Sequence, residues 1–317
     1  MRKTVYFSTL LGVAALAFGG AWVFGSLEQA SSEPMSPVES IYYEYEQNHI
    51  HGLGFHPAQQ SLFLATHFGI FVLQNSELYQ LGASRDDFMG FSLHPHDPDV
   101  IYTSGHPRRG GNMGVMKSSD GGKTYEQVFT GLQGGTVDFH SMTISAADAG
   151  ILYGAFRGRL YRSLDGAESW SYATAEGLPG QGYCWGVPCL HADPHDPNRI
   201  YAGTPEGLMR SDDQGDHWTE VTDGRAGAVV SAGVAPNDGQ VLIAHTQHYG
   251  VARSVDAGST WESASAGLEL ANGEAVFQFV FDPDDANRVF LATTGDQVYQ
   301  SNDQGRNWKK LLGVNWP

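Results

Sequence analysis

Three short triplets in the first half of the sequence carry side chains that bind metal ions or transfer protons. They are His49-Ile50-His51, Asp87-Phe88-Met89 and Asp138-Phe139-His140. In a β-strand, the first and third residues of a triplet lie on the same face. Each triplet therefore predicts two polar or soft groups on one side of a strand and an apolar residue on the other side.

The first interpretation of these residues is a transition-metal site. Imidazoles bind copper, zinc, nickel and iron, and a thioether favours copper among them. The predicted ligands are His49, His51, His67, His106, His140 and Met89, with Met113 and Met116 as weaker candidates. Carboxylates next to ligating imidazoles commonly orient them, and Asp87 and Asp138 are expected in that role. Copper or another transition metal is the expected cofactor, and the sequence leaves open whether redox chemistry accompanies binding.

The second interpretation is glycoside hydrolysis, which needs two carboxyl groups about 5–10 Å apart. Asp87 and Asp138 are the predicted catalytic pair, Asp86 is a further candidate on the same face, and Glu274 is a poorer one. Three aromatic side chains could stack on sugar rings: Tyr183, Trp185 and Tyr249. A third interpretation is a platform without chemistry that holds a partner. The expected partner is thus a small ligand, a glycan or a protein.

A repeated segment indicates the elements that position these residues. The copies are SSDGGKTY, SLDGAESW, SDDQGDHW, SVDAGSTW and SNDQGRNW, beginning at Ser118, Ser163, Ser211, Ser254 and Ser301. A repeat of about 45 residues is typical of β-propeller blades. In each copy the Asp can accept hydrogen bonds from turn amides, and the Gly can adopt a positive φ.

This repeat resembles the Asp-box, or BNR, propellers, a family that includes sialidases, xyloglucanases, sortilin-type receptor domains and photosystem II assembly factors. Bacterial relatives are often called glycosyl hydrolases. The resemblance extends from about Tyr45 to the C-terminus, and the sequence departs from the repeat at Tyr125 and Ala167. It implies an all-β fold, while the Phe/Tyr-Arg-Ile-Pro motif of sialidases is missing from the sequence.

A second alignment counts the blades. Six apolar runs that end in a turn begin at His51, Met89, His140, Pro188, Val230 and Phe277. We therefore predict one six-bladed β-propeller over residues 45–317, with four strands in each blade. In this fold the first strands line the central channel. The three triplets, His67 and His106 then map to one face, here called the upper face, and the Ser-x-Asp repeats map to the lower face.

Composition and termini limit the other possibilities. The formal net charge of −17 argues against nucleic-acid and anionic-membrane partners. Residues 1–25 contain a basic start and a long apolar run, which predicts a helical signal-anchor or, alternatively, a cleaved signal peptide. Residues 26–44 are expected to form a linker. The propeller is thus predicted to be extracytoplasmic (periplasmic or at the cell surface), with the anchor as its only membrane contact.

Only two cysteines occur, Cys184 and Cys189. In an oxidising compartment they would close a small disulfide loop. The alternative is a thiolate pair for a soft metal ion.

Overall fold

The structure is a computed structural model that describes residues 48–222 and 224–313. These residues form 24 β-strands in six four-stranded antiparallel sheets, each built from four consecutive strands. The strands of the first three sheets are β1 (Ile50–His56), β2 (Ser61–Thr66), β3 (Gly69–Gln74) and β4 (Glu77–Leu81); β5 (Asp87–Leu93), β6 (Ile101–His106), β7 (Val115–Ser118) and β8 (Glu126–Phe129); β9 (Ser141–Ile144), β10 (Leu152–Phe156), β11 (Arg159–Ser163) and β12 (Ser171–Tyr172).

The remaining three sheets repeat the same order. Their strands are β13 (Cys189–Ala192), β14 (Ile200–Thr204), β15 (Gly207–Ser211) and β16 (Thr219–Glu220); β17 (Val229–Ala235), β18 (Asp238–Thr246), β19 (Gly250–Ser254) and β20 (Glu262–Ser263); β21 (Val276–Phe281), β22 (Val289–Thr293), β23 (Val298–Ser301) and β24 (Lys309–Leu312). We call the sheets blades 1 to 6. The all-β six-bladed propeller predicted from the sequence is confirmed.

The blades close into a ring through their first strands. Each first strand contacts the first strand of the next blade, and β21 of blade 6 contacts β1 of blade 1. At this last seam the Gln278 side chain accepts a hydrogen bond from Leu53 N at 2.7 Å and donates one to Leu53 O at 3.0 Å. Large apolar side chains fill the space between neighbouring blades, as Phe279 and Trp308 do in the cluster shared by blades 5 and 6.

The five repeated segments form hairpin turns between the third and fourth strands of blades 2 to 6. In blade 4, Ser211 Oγ donates to Asp213 Oδ1 at 2.8 Å and accepts from Gly215 N at 2.9 Å, while Asp213 Oδ1 accepts from His217 N at 2.9 Å. The other four turns repeat the Ser–Asp bond at 2.7–2.9 Å. The residue two positions after the Asp has a positive φ in every turn, including Ala167 at 72°. The carboxylate thus accepts hydrogen bonds from backbone amides that have no other partner in a tight turn.

Blade 1 uses a different turn. Asn75 and Ser76 both have positive φ, 52° and 66°, and connect β3 to β4 directly. Two consecutive left-handed residues are the geometry of a type I′ hairpin. A short turn therefore does here what the Ser-x-Asp segment does in the other blades.

The predicted N-terminal helix (residues 1–25) and the linker (26–44) lie outside the described residues. Residues 45–47, 223 and 314–317 of the predicted propeller lie outside them too. Within 48–222 and 224–313, no helix is long and apolar enough to span a membrane.

Candidate functional site

The upper face carries two groups of potential metal ligands, and in each group the ligand atoms lie within 4.8 Å of one another. Site A consists of His51 on β1, His67 in the β2–β3 turn, and Asp87 at the start of β5. His51 Nε2 lies 3.2 Å from His67 Nδ1. Asp87 Oδ1 lies 3.0 Å from His67 Nδ1 and 3.7 Å from His51 Nε2. Blades 1 and 2 therefore build site A together.

His51 is the most buried member of site A. It is 4% exposed, and burial, followed by the neighbouring His67, lowers the pKa of His51 to about 3. The imidazole is therefore neutral at physiological pH, which is the form that donates a lone pair to a metal ion. Its Nδ1 is buried and has no hydrogen-bond partner within the described chain.

Site B consists of His106 at the end of β6 and of Asp138 and His140, which immediately precede β9. Asp138 Oδ2 lies 2.6 Å from His140 Nε2 and 3.1 Å from His106 Nε2. The other ring nitrogen of His106 lies 2.9 Å from Gly111 O. If Nδ1 carries the proton and donates to that carbonyl, Nε2 faces Asp138 with its lone pair.

A buried carboxylate dominates the electrostatics of site B. Asp138 is 3% exposed, and its hydrogen bond to His140 raises the pKa of His140 above the ordinary value, against the opposing effect of burial. Asp138 Oδ1 is buried and unpartnered among the residues described. An unpaired buried carboxylate oxygen is costly. Site B thus offers an acceptor atom that no group of the described chain satisfies.

Blade 2 connects the two sites. Asp87 and His106 are paired across β5 and β6, yet Asp87 belongs to site A and His106 to site B. Asp87 turns to the histidines of blade 1, and His106 turns to the residues that open blade 3. The two sites therefore lie side by side at one mouth of the propeller.

The loop between Cys184 and Cys189 lies over this mouth. The two cysteines form a disulfide bond, so the alternative of a thiolate pair for a soft metal ion is wrong for this state of the protein. Trp185 in the loop packs edge-on against His51, with ring centroids 4.6 Å apart. Its carbonyl oxygen lies 3.2 Å from His140 Nδ1. The loop thus touches one histidine of each site.

Two predicted ligands lie beside the sites rather than in them. His49 Nδ1 pairs with Asp296 Oδ2 at 2.7 Å, and the rings of His49 and His67 are 5.5 Å apart. Met89 is 5% exposed and lines the channel below the mouth. Of the weaker candidates, Met113 packs into the core between blades 1 and 2.

The weaker catalytic candidates have structural partners. Asp86 Oδ1 accepts from Arg108 N at 2.9 Å, and Glu274 bonds to Thr293 and Gln297. The aromatic side chains proposed to stack on sugars are partly exposed: Tyr183 42%, Trp185 36% and Tyr249 38%.

Sequence reasoning did not assign Trp185 or Asp296 a contact with these histidines. The spacing of the two cysteines signalled a closed loop, but the path of the loop over blade 1 depends on tertiary structure. Asp296 reaches His49 across the seam between blades 6 and 1, and also accepts from Ile50 N at 2.8 Å. No local pattern reports a partner so distant in sequence.

Comparison with known proteins shows similarity to glycoside hydrolases of one class. No protein-family model matches the chain. The xyloglucanase of Hypocrea jecorina (strain QM6a) is 26% identical over 213 residues, which are 64% of this chain and 23% of that enzyme. The chain thus spans less than a quarter of the curated relative that it matches.

Solved structures are similar to this chain in fold. A GH74 enzyme of Niastella koreensis superposes with a TM-score of 0.61 at 20% identity, over 83% of this chain and 45% of that one. The GH74 xyloglucanase of Xanthomonas campestris gives a TM-score of 0.56 at 21% identity, over 84% of this chain and 46% of that one. At these identities the likeness supports the propeller fold.

Proposed function

We propose that this protein is an extracytoplasmic β-propeller that binds one divalent transition metal ion in each of sites A and B. One observation carries the proposal: each site gathers two imidazoles and a carboxylate from adjacent blades, with the ligand atoms within 4.8 Å of one another. In site B the second oxygen of the buried carboxylate, Asp138 Oδ1, also has no hydrogen-bond partner within the described chain. A bound cation would compensate the buried charge of Asp138.

The donor set determines which ions fit. Imidazole with carboxylate suits zinc, iron, cobalt, nickel and copper(II), whereas thiolate and thioether select copper(I). The cysteine sulfurs are bonded to each other, and Met113 and Met116 pack in or against the core between blades 1 and 2. Of the soft donors predicted from the sequence, Met89 in the channel lining is the one left to support a preference for copper. The net charge of −17 favours accumulation of cations around the protein.

We also propose that the protein is extracytoplasmic and that its repeats are Asp-boxes. The disulfide bond is typical of an oxidising compartment, which agrees with the signal-anchor or signal peptide predicted for residues 1–25. The hydrogen bonds of the five Ser-x-Asp turns support their assignment as Asp-boxes.

Cobalt(II) titration of the full-length protein, followed by visible absorption, tests the metal proposal. The wild-type chain is expected to take up two ions with absorption stronger than that of aqueous cobalt. Asp87→Asn is expected to weaken site A, and Asp138→Asn to weaken site B, each by at least about tenfold because a charged group that binds or orients a ligand is lost.

The matched control is His96→Ala, which removes an exposed imidazole from the lower face. It should bind both cobalt ions as the wild type does. The proposal fails if the wild type gives only the spectrum of aqueous cobalt, or if both Asp variants titrate like the control.

Glycoside hydrolysis is the second candidate, and the similarity to a xyloglucanase favours it. In this alternative Asp87 and Asp138 are the acid and the base or nucleophile. The Asp87 side chain is 22% exposed and can reach a bound sugar, whereas the Asp138 side chain is 5% exposed and lies beneath His106 and His140. Release of the chromophore from an aryl glycoside, abolished in Asp87→Asn with and without added metal, would favour hydrolysis over metal binding alone.

A further inference from the structure

A channel runs through the centre of the propeller below sites A and B. The first strands of all six blades line it, and its volume is about 230 Å³. Its upper end is lined by His51, Met89, His140, Cys184, Cys189 and Phe277, and its lower end by Pro95, Ala146, Pro194, Pro236 and Pro283. The channel shares His51 with site A and His140 with site B, and the rest of its wall lies below both sites.

The polar side chains of the channel wall are already used in the seams between blades. The hydrogen bonds run from Ser92 Oγ to Met142 O, from Leu190 N to Ser141 Oγ, from Ala192 N to Thr143 Oγ1, from Val234 N to His191 Nε2, from Ser231 Oγ to Val276 O, and between Gln278 and Leu53. Every blade contributes a donor or an acceptor to at least one of these bonds. The polar side chains named here are therefore paired with protein, whereas His51 Nδ1 at the upper end has no partner within the described chain.

Apolar side chains face the remaining space. Five of them are only half-buried although they lie inside the ring, because the channel leaves part of their surface uncovered: Leu93, Ile144, Leu190, Val280 and Phe281. Burial lowers the pKa of His191 in the same wall to about 4, so this imidazole is neutral and adds no charge. The wall of this space is therefore mainly apolar.

The disulfide loop closes the upper end of the channel. Cys184 Sγ lies 3.8 Å from Phe277 O on blade 6, and the Trp185 ring packs on Phe277 with centroids 5.1 Å apart. Because the same tryptophan also packs on His51 of blade 1, the loop crosses from blade 4 to the far side of the ring. A ligand of the channel must therefore enter at the proline-lined lower end.

We infer that the channel binds a small neutral apolar molecule, aromatic or alkyl, which enters from the lower face. Apolar cavities that water does not fill bind such molecules, and a cavity of about 150 Å³ already holds benzene. The volume of about 230 Å³ is below that of a typical drug-sized pocket, about 300–1,000 Å³. The size therefore fits a molecule with one or two rings or a short alkyl chain, and excludes a folded peptide segment.

The neutral two-ring fluorophore 1-naphthylamine tests the inference on the full-length protein. Its fluorescence is expected to rise and saturate at one molecule per chain. Leu190→Trp places a large ring in the channel and should weaken binding at least tenfold. Leu164→Trp makes the same change at a position that is 53% exposed and should leave binding unchanged. Equal binding by the two variants, or no saturable binding by the wild type, would overturn the inference.

An independent measurement covers the case in which Leu190→Trp does not fold. In the wild-type complex, nuclear Overhauser effects from the probe should reach the methyl groups of Ile144, Leu190 and Val280. Effects confined to exposed apolar residues such as Leu164 and Val255, which is 57% exposed, would place the probe on the outer surface and refute a channel site.

Discussion

Asp138 is the residue on which the chemistry of the upper face depends most. It is buried, carries a negative charge and shares one oxygen with two imidazoles, at 2.6 Å from His140 and 3.1 Å from His106. Its carboxylate stabilises the protonated form of His140, which is why the pKa of His140 is raised. The same carboxylate would neutralise a bound cation, so protons and metal ions compete for site B.

This competition gives a prediction for the metal-free protein. In Asp138→Asn the pKa of His140 should fall, because the neutral amide no longer stabilises the imidazolium ion. A proton NMR titration of the histidine ring signals measures the change. The exposed His96 on the lower face should titrate identically in both proteins. An unchanged pKa of His140 would mean that the hydrogen bond to Asp138 does not form in solution.

Residue types and local spacing singled out the residues of the candidate sites, but they did not predict that these residues form two separate groups. The triplets ending in His51, Met89 and His140 identified the chain segments that meet at the mouth. The regular strand period assumed for them does not hold, because Asp138 and His140 precede β9 and the strand pairing is irregular at His51 and at Met89. The triplets did not show that Asp87 and His106 face opposite neighbours, although they are paired across two strands. That choice depends on how blade 2 packs between its neighbours, and no local pattern encodes it.

At the scale of the elements, the Ser-x-Asp turns make the stability of the folded protein depend on pH. Hydrogen bonds from the amide and ring of His217 lower the pKa of Asp213 to about 2, and hydroxyl and amide donors lower the pKa of Asp165 and Asp256. A folded-state pKa below the unfolded value adds stability above about pH 4, and this stability is lost as the pH falls towards 2.

Thermal unfolding between pH 6 and pH 2.5 checks this effect. Asp213→Asn should melt below the wild type at pH 6, and the gap should narrow as the pH falls and the wild-type carboxylate becomes protonated. Glu206→Gln, which alters an exposed carboxylate outside the turns, should keep a constant offset from the wild type. A constant gap for Asp213→Asn would contradict the role given to its charge.

The glycines of the same turns are predicted to differ in their tolerance of alanine. Gly258 and Gly305 have φ of 91° and 80°, so alanine at either costs about 1–2 kcal/mol of backbone strain. A Cβ at Gly305 would lie 2.3 Å from Ile243 Cδ1 in the core, whereas at Gly258 the nearest atom is 3.5 Å away. Overpacking should cost Gly305→Ala roughly a further 1–3 kcal/mol.

Urea unfolding of the two variants measures the difference. Both should fold, since Ala167 occupies the equivalent position at a φ of 72° in blade 3. Equal losses of unfolding free energy would show that the core around Ile243 adjusts without cost. The sequence predicted the turns and their positive φ, but the contact with Ile243 belongs to the packing of blade 5 against blade 6.

At the scale of the whole molecule, the blades are alike in fold and unlike in chemistry. All six have four strands, and the first strands of neighbouring blades contact each other around the ring. The repeat length together with the alignment of six apolar runs predicted this architecture. The members of sites A and B come from blades 1 and 2 and from the segment that opens blade 3. A requirement of the fold would recur around the ring, so this asymmetry is best explained by a ligand at the upper mouth.

The proposed metal binding is tested most directly by elemental analysis of the full-length protein after zinc loading and desalting. The account predicts close to two zinc ions per chain, one for each His/Asp group. It also predicts their loss in a His51→Ala/His140→Ala double variant, while His96→Ala retains both. A wild-type protein that retains no zinc, or a folded double variant that retains as much as the wild type, would contradict it.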